Sequence, residues 1–130
     1  MSDIETLEDI KFLVDSFYAK AGKDELLAPI FESKLENGNW QPHLEKMYAF
    51  WQTVLFHEIS YKGSPYMKHH PLPINPSHFE RWLQLFNETI DQLFKGDRAE
   101  DAKKRVDSMA QLFMAKMEYY RKNPEKRPLV

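Results

Sequence analysis

Cysteine is absent from this 130-residue chain, glycine occurs only four times, and neither sign of charge dominates. Without a thiol there can be no disulfide framework, zinc ribbon, iron–sulfur cluster or cysteine nucleophile. Glycine is too scarce for a phosphate-binding loop or a dinucleotide fingerprint. The 18 basic and 20 acidic residues are mixed, and the net charge of −2 gives no basic surface for nucleic acid. A polyanion partner is therefore not expected.

Long apolar runs are also missing, and the first ten residues, MSDIETLEDI, lack the basic start and apolar stretch of a signal peptide. We therefore expect a cytoplasmic protein with no membrane insertion. The length predicts one domain over residues 1–130. The charged segment 122–130 contains two prolines and is expected to fray.

Large polarizable side chains are plentiful, since aromatic residues make up 14% of the chain and there are six methionines. Such residues build either a bulky core or a pocket for a flat apolar ligand. Composition leaves both alternatives open.

Apolar residues recur at helical spacing, without strand-like alternation or internal repeats, and so predict an all-α fold. The expected helices cover 4–21, a short stretch over 27–35, and 42–58. A fourth begins at Ser77, where S-x-x-E with Glu80 has the spacing of a capping box, or slightly earlier if Asn75 is the cap. A final helix follows Gly96, with Asp97 as its expected cap.

The helix over 42–58 carries two adjacent apolar stripes, which suit a helix that faces both a core and a ligand. One stripe comprises Leu44, Tyr48, Trp51 and Leu55, and the other His43, Met47, Phe50 and Val54. After this helix, the segment 60–77 contains MKHHPLPINP, whose prolines disfavour a regular helix. A connection of this length in a small domain is commonly functional.

Five histidines are candidate ligands. His57, near a helix end, and His78, in the first turn of another helix, are interpreted as structural. His43 opens the two-striped helix, where it either serves as a cap or surface residue or faces a ligand. His69 and His70 are adjacent in an extended segment and point in opposite directions, so only one should face the interior.

The requirements of haem are modest: one axial imidazole, an apolar aromatic pocket and a polar group opposite the axial ligand. This sequence can supply all three, whereas it has no H-E-x-x-H zinc motif and no nucleophile elbow. Tyr18, at the inner edge of the first helix, is the candidate polar group. Its phenol either hydrogen-bonds a ligand with partial negative charge or lies in water at the edge of the core.

Three stretches resemble the group III truncated haemoglobins in order and spacing. They are SFYAKAGKDELLAPIF, WQPHLEKMYAFW and YKGSPYMKHHPLPINPSHFERWLQLF. The resemblance is good over about residues 12–86 and only general in the last helix. It implies a truncated globin-like helical sandwich of two helices on two, with a proline-rich loop carrying the proximal histidine.

The resemblance also implies residue roles. His69 matches the proximal ligand of haem b iron, with His70 as the alternative if the loop register slips by one. Tyr18 matches the distal tyrosine, Trp82 the distal tryptophan and His43 the distal histidine. The haem-facing positions of the two-striped helix fall on Met47 and Phe50.

The function expected from this resemblance is reversible binding of oxygen, nitric oxide and carbon monoxide at haem iron. A polar distal pocket favours oxygen and nitric oxide chemistry over bulk oxygen transport. Nitric oxide dioxygenase and peroxidase-like activities, with a reductase partner, are the enzymatic versions of this function. The alternative is a cofactor-free helical adaptor or regulator, because every apolar stripe also fits plain helix packing.

Overall fold

The computed structural model describes residues 1–35, 39–57 and 74–125. Five helices and no strand lie within these ranges, which confirms the predicted all-α class. The helices are α1 (Leu7–Ala21), α2 (Ala28–Lys34), α3 (Gln41–Phe56), α4 (Pro76–Leu93) and α5 (Asp97–Lys122). Most of the expected proline loop, with His69 and His70, lies outside the described residues, as does the end of the tail. None of the described helices is long and apolar enough to cross a lipid bilayer.

The start of α1 differs from the expected position at residue 4. Thr6 caps the helix, since its hydroxyl accepts from the Asp9 N–H at 3.2 Å and the Asp9 carboxylate accepts from the Thr6 N–H at 3.0 Å. This reciprocal pair satisfies two N–H groups that an uncapped helix would leave open. Ile4 lies before the cap and is fully buried, so its apolar side chain contributes to the core without being helical.

The cap of α4 is Asn75, the earlier of the two expected positions. Its side-chain oxygen accepts from the Ser77 N–H at 2.9 Å, and His78 Nδ1 accepts from the Asn75 N–H at 3.1 Å. The expected box of Ser77 with Glu80 is therefore wrong, because the helix has already begun at Pro76. His78 has the structural role predicted for it, and the exposed His57 ends α3 with a left-handed backbone, φ 60°.

The N-terminus of α5 is capped from the other end of the chain. The Asp3 carboxylate accepts from the N–H groups of Arg98 and Ala99, each at 2.9 Å. Gly96 has φ 152°, and a Cβ built there would lie 2.5 Å from Asp3 Cγ, so only glycine fits beside this carboxylate. The prediction that Asp97 is the cap is wrong, since Asp97 is already in the first turn.

The helices form two pairs around one main core. α1 packs against α3, α4 packs against α5, and α1 and α4 contact each other between the pairs. On α1, the apolar residues at helical spacing are all buried, namely Ile10, Val14, Phe17 and Ala21. A smaller apolar cluster lies between α4 and α5, where Phe79, Ala110 and Phe113 are buried against Ile74 and Met117.

A partly buried ion pair joins the corner between α1 and α2 to α4. Asp24 accepts from Arg81 Nε at 2.6 Å and from the N–H groups of Leu26 and Leu27, each at 3.1 Å. Burial alone would raise the pKa of Asp24, but the Arg81 hydrogen bond and charge, with the backbone donors, hold it below its usual range. The pair stays charged at neutral pH and fixes α4 at the residue before Trp82.

Candidate functional site

Tyr18 lies on the buried face of α1, with only 9% of its surface exposed. Phe17, beside it, meets the Tyr18 ring edge-on at 4.8 Å and the Trp82 ring at 5.1 Å, as measured between ring centroids. Burial raises the pKa of the Tyr18 hydroxyl. The phenol is therefore neutral and remains a hydrogen-bond donor across the physiological pH range.

His43 is brought directly to Tyr18 by the packing of α3 on α1. The two rings meet edge-on, with centroids 4.8 Å apart and planes at 85°. The residue is half-buried, and its Nε2 atom is shielded from solvent. The imidazole of His43 thus belongs to an aromatic cluster and does not cap α3.

Two further aromatic residues complete this cluster, and neither was a predicted site residue. Phe31 from α2 lies 5.5 Å from Tyr18 and 6.1 Å from His43, and Trp40 lies 5.8 Å and 6.1 Å from the same two rings. Phe31 and Trp40 are themselves 5.4 Å apart. Tyr18, Phe31, Trp40 and His43 are hereafter called the four-ring cluster.

Trp82 is held by stacking on α4. Its indole lies parallel to the Phe86 ring at 5.1 Å, with 5° between the planes, and Phe86 also stacks with Trp51 of α3 at 5.1 Å and 18°. Phe86 is almost fully buried, whereas Trp82 is half-buried. Trp82 therefore has a fixed orientation and a partly uncovered surface, and Phe17 connects it to Tyr18.

Met47 and Phe50 lie on α3 in the same apolar cluster as Tyr18. Phe50 is 8% exposed, and Met47 is half-buried against the core. The structure thus groups five of the six predicted cofactor-binding residues at α1, α3 and α4. The sixth, His69, lies outside the described residues.

Sequence reasoning missed Phe31 and Trp40 because helical periodicity does not apply to them. Phe31 lies in the seven-residue helix α2, and Trp40 is the cap residue before α3. A periodic pattern predicts which residues of one helix share a face, but not which side chain at a helix end meets another helix. The only available signal was the occurrence of both residues inside the stretches that resemble a known family.

The chain is similar to known proteins in both sequence and fold. The profile of the family described as "Bacterial-like globin" matches residues 3–118. The chain is 34% identical over 109 residues to "Group 3 truncated hemoglobin ctb" of Campylobacter jejuni subsp. jejuni serotype O:2, a match covering 82% of this chain and 86% of that protein. A crystal structure of group III truncated haemoglobin from Campylobacter jejuni superposes with a TM-score of 0.81 at 31% identity, covering 90% of this chain and 95% of that one.

Proposed function

Because the chain belongs to the bacterial-like globin family and has a truncated globin fold, we propose that it binds haem b and, at the haem iron, oxygen and other diatomic ligands. The observation that carries this proposal is the setting of Tyr18. Its neutral phenol is buried among aromatic rings, and among the described residues no hydrogen bond satisfies its hydroxyl. The hydroxyl is not one of the fully enclosed described atoms that lack a partner, so it can reach a neighbouring molecule, and a small ligand with partial negative charge is a suitable acceptor.

The described residues fit one face of a haem. Haem needs an apolar, aromatic surface with a hydrogen-bond donor near the iron. The half-buried side chains of Met47 on α3 and Trp82 on α4 provide such a surface, and Tyr18 and His43 provide the polar groups beside it. No three metal-ligating side chains gather within the described ranges, so a conventional multi-ligand metal site is not offered there.

We propose that His69 would bind the haem iron. This assignment rests on its match to the proximal histidine of the family pattern, with His70 as the competing residue. The described chain resumes at Ile74, which packs on the small apolar cluster of Phe79 and Phe113 between α4 and α5.

Haem iron supplies a position at which oxygen, nitric oxide and carbon monoxide bind reversibly. The chain's own residues would hold the ligand there: Tyr18 donates a hydrogen bond, His43 lies beside it, and Trp82 limits the space. Strong hydrogen bonding slows ligand release, which suits reaction of oxygen with nitric oxide, or peroxidase-like turnover, better than bulk transport. The reaction of oxygen with nitric oxide needs an electron donor, which a reductase would provide, whereas peroxidase-like turnover takes its electrons from the substrate that is oxidised.

Absorption spectra test this function. The purified protein, reconstituted with hemin, is measured in ferric, dithionite-reduced and carbon monoxide forms, beside His69→Ala, His70→Ala and the exposed control His57→Ala. In the wild type, His70→Ala and His57→Ala, we expect an intense Soret band that shifts with carbon monoxide. In His69→Ala, we expect this band to be lost or altered.

Two results would contradict the proposal at different points. A wild-type protein that gives no Soret band after reconstitution would reject haem binding and favour the cofactor-free adaptor. Loss of the Soret band in His70→Ala, together with its retention in His69→Ala, would show that His70 is the iron ligand.

A further inference from the structure

Trp40 occupies the N-cap position of α3 without acting as a cap. An N-cap side chain usually carries an oxygen that accepts from the first turn, and an indole cannot do this. The preceding residue, Asn39, takes this role instead, since its side-chain oxygen accepts from the Gln41 N–H at 3.2 Å. The Trp40 side chain is thus placed for packing.

The indole lies closely against Gly22 at the end of α1. A Cβ built at Gly22 would lie 3.0 Å from Cζ2 of Trp40 and 3.5 Å from Cη2. The backbone of Gly22 has φ −68°, which any residue can adopt. A side chain at this position would therefore be tight against the indole and against the Tyr18 carbonyl oxygen, 3.1 Å from the built Cβ, without any strain in the Gly22 backbone.

Besides Gly22, Trp40 contacts both polar residues of the four-ring cluster. It precedes His43 by three residues, so the two side chains are neighbours on one helix face, and their ring centroids lie 6.1 Å apart. It also meets Tyr18 at 5.8 Å. The His43 imidazole thus lies between the Tyr18 ring and the Trp40 indole. The opposite side of the indole contacts Gly22, which limits its movement away from His43.

We propose that Trp40 is a positioning residue: seated on Gly22, it holds His43 against Tyr18 and thereby fixes the hydrogen-bonding geometry around a bound diatomic ligand. This inference rests on the proposed haem function. Contacts between aromatic rings stabilise one arrangement over its alternatives by a modest but measurable factor. Removing the indole takes away one of the aromatic rings that surround His43.

Two substitutions perturb this arrangement from opposite sides. Trp40→Ala removes the indole. Gly22→Ala keeps every aromatic ring but adds a methyl group that displaces the Trp40 indole from its present position. Trp40→Phe is the conservative variant, which restores a ring at the same place. Leu55→Ala is the control, because Leu55 is buried at the other end of α3 and its truncation weakens packing without touching the four-ring cluster.

The first readout is the infrared C–O stretch of the carbon monoxide complex, which reports hydrogen bonding around the bound ligand. We expect one dominant band in the wild type and in Leu55→Ala, and several bands in Trp40→Ala and Gly22→Ala, with Trp40→Phe closer to the wild type. Oxygen dissociation should accelerate roughly 2- to 10-fold in Trp40→Ala, the factor that corresponds to one aromatic contact.

The second readout needs no haem. The ring protons of His43, assigned by comparison with His43→Ala, should show shifts from the surrounding aromatic rings in the NMR spectrum of the cofactor-free protein. These shifts should move toward those of an exposed histidine in Trp40→Ala and Gly22→Ala but not in Leu55→Ala.

The outcomes separate this inference from the haem proposal. Unchanged C–O bands and unchanged His43 shifts in Gly22→Ala would overturn the positioning role, even if Trp40→Ala failed to fold. Equal changes in Leu55→Ala would overturn it as well, since general loosening would then explain them. A wild type without a Soret band would instead reject haem binding, while the His43 shifts would still test whether Trp40 holds the imidazole.

Discussion

Tyr18 and Tyr48 show how surroundings assign different chemistry to the same side chain. Tyr18 is buried among rings, and its hydroxyl has no hydrogen-bonding partner among the described residues. Tyr48, on α3, donates to the carboxylate of Asp15, and the Lys11 ammonium lies 5.8 Å from its ring centroid. The first phenol is the donor that we propose for a ligand, whereas the second holds α3 to α1.

Tyr48 should make the free energy of unfolding decrease at alkaline pH. Burial and the hydrogen bond and negative charge of Asp15 raise the pKa of Tyr48 from 10.0 to about 12. A group with a raised folded-state pKa contributes stability that is complete below the unfolded value and is lost as pH rises through the folded value. At neutral pH, Tyr48→Phe should lower the free energy of unfolding by about 0.5–1.5 kcal/mol.

Denaturant unfolding across the pH range checks this prediction. The difference in free energy of unfolding between wild type and Tyr48→Phe should shrink as pH rises from the unfolded-state pKa of Tyr48 to the folded-state pKa. Over this range, only the wild type must keep this phenol protonated in order to fold. A constant gap over that window would show that Tyr48 does not titrate as described.

At the scale of secondary structure, the least predictable feature is the cap of α5. Val106, Ala110 and Phe113 lie at helical spacing and are buried on α5, and spacing within a helix is local information. The cap is supplied by Asp3, 95 residues from Arg98 in sequence. Local capping chemistry suggested Asp97 instead, and no local rule could have identified the distant carboxylate.

This long-range cap should be measurable. Asp3→Ala leaves the Arg98 and Ala99 N–H groups without their acceptor, and we expect it to lower the free energy of unfolding by about 1–2 kcal/mol at neutral pH. Asp3→Asn retains an acceptor oxygen and should lose less. Equilibrium urea unfolding of the three proteins compares them directly.

The effect of Asp3 should also disappear in acid. Burial alone would raise the pKa of Asp3, but the backbone hydrogen bonds from Arg98, Ile4 and Ala99 hold it below 3.8. A depressed pKa contributes stability that is present above the unfolded value and lost as pH falls through the folded one. If Asp3→Ala were as much less stable than the wild type below the folded-state pKa of Asp3 as it is at neutral pH, the charge of Asp3 would have no part in the cap.

At the scale of the whole molecule, the candidate site is an assembly of separate helices. The sequence pattern predicted the buried faces, and the family resemblance predicted Tyr18, His43 and Trp82 as partners, but neither showed the contacts between them. Those contacts depend on how α1, α3 and α4 pack, on the stacking of Trp82 with Phe86 and on the close approach of Trp40 to Gly22. Tertiary packing of this kind has no periodic signature in one chain.

The ion pair of Asp24 with Arg81 belongs to this same scale. It ties the corner after α1 to the residue before Trp82, so the helix bearing Tyr18 and the helix bearing Trp82 keep a fixed relation. Sequence reasoning did not find this pair, since the two residues are 57 positions apart.

The most direct test of the account is the oxygen dissociation rate of the reconstituted, reduced protein, measured for the wild type, Tyr18→Phe and Tyr48→Phe. A hydrogen bond from Tyr18 to the bound ligand predicts slow release by the wild type and roughly 10- to 100-fold faster release by Tyr18→Phe. Tyr48→Phe, which removes a phenol outside the four-ring cluster, should release oxygen at the wild-type rate. Fast release by the wild type that Tyr18→Phe leaves unchanged would contradict the account.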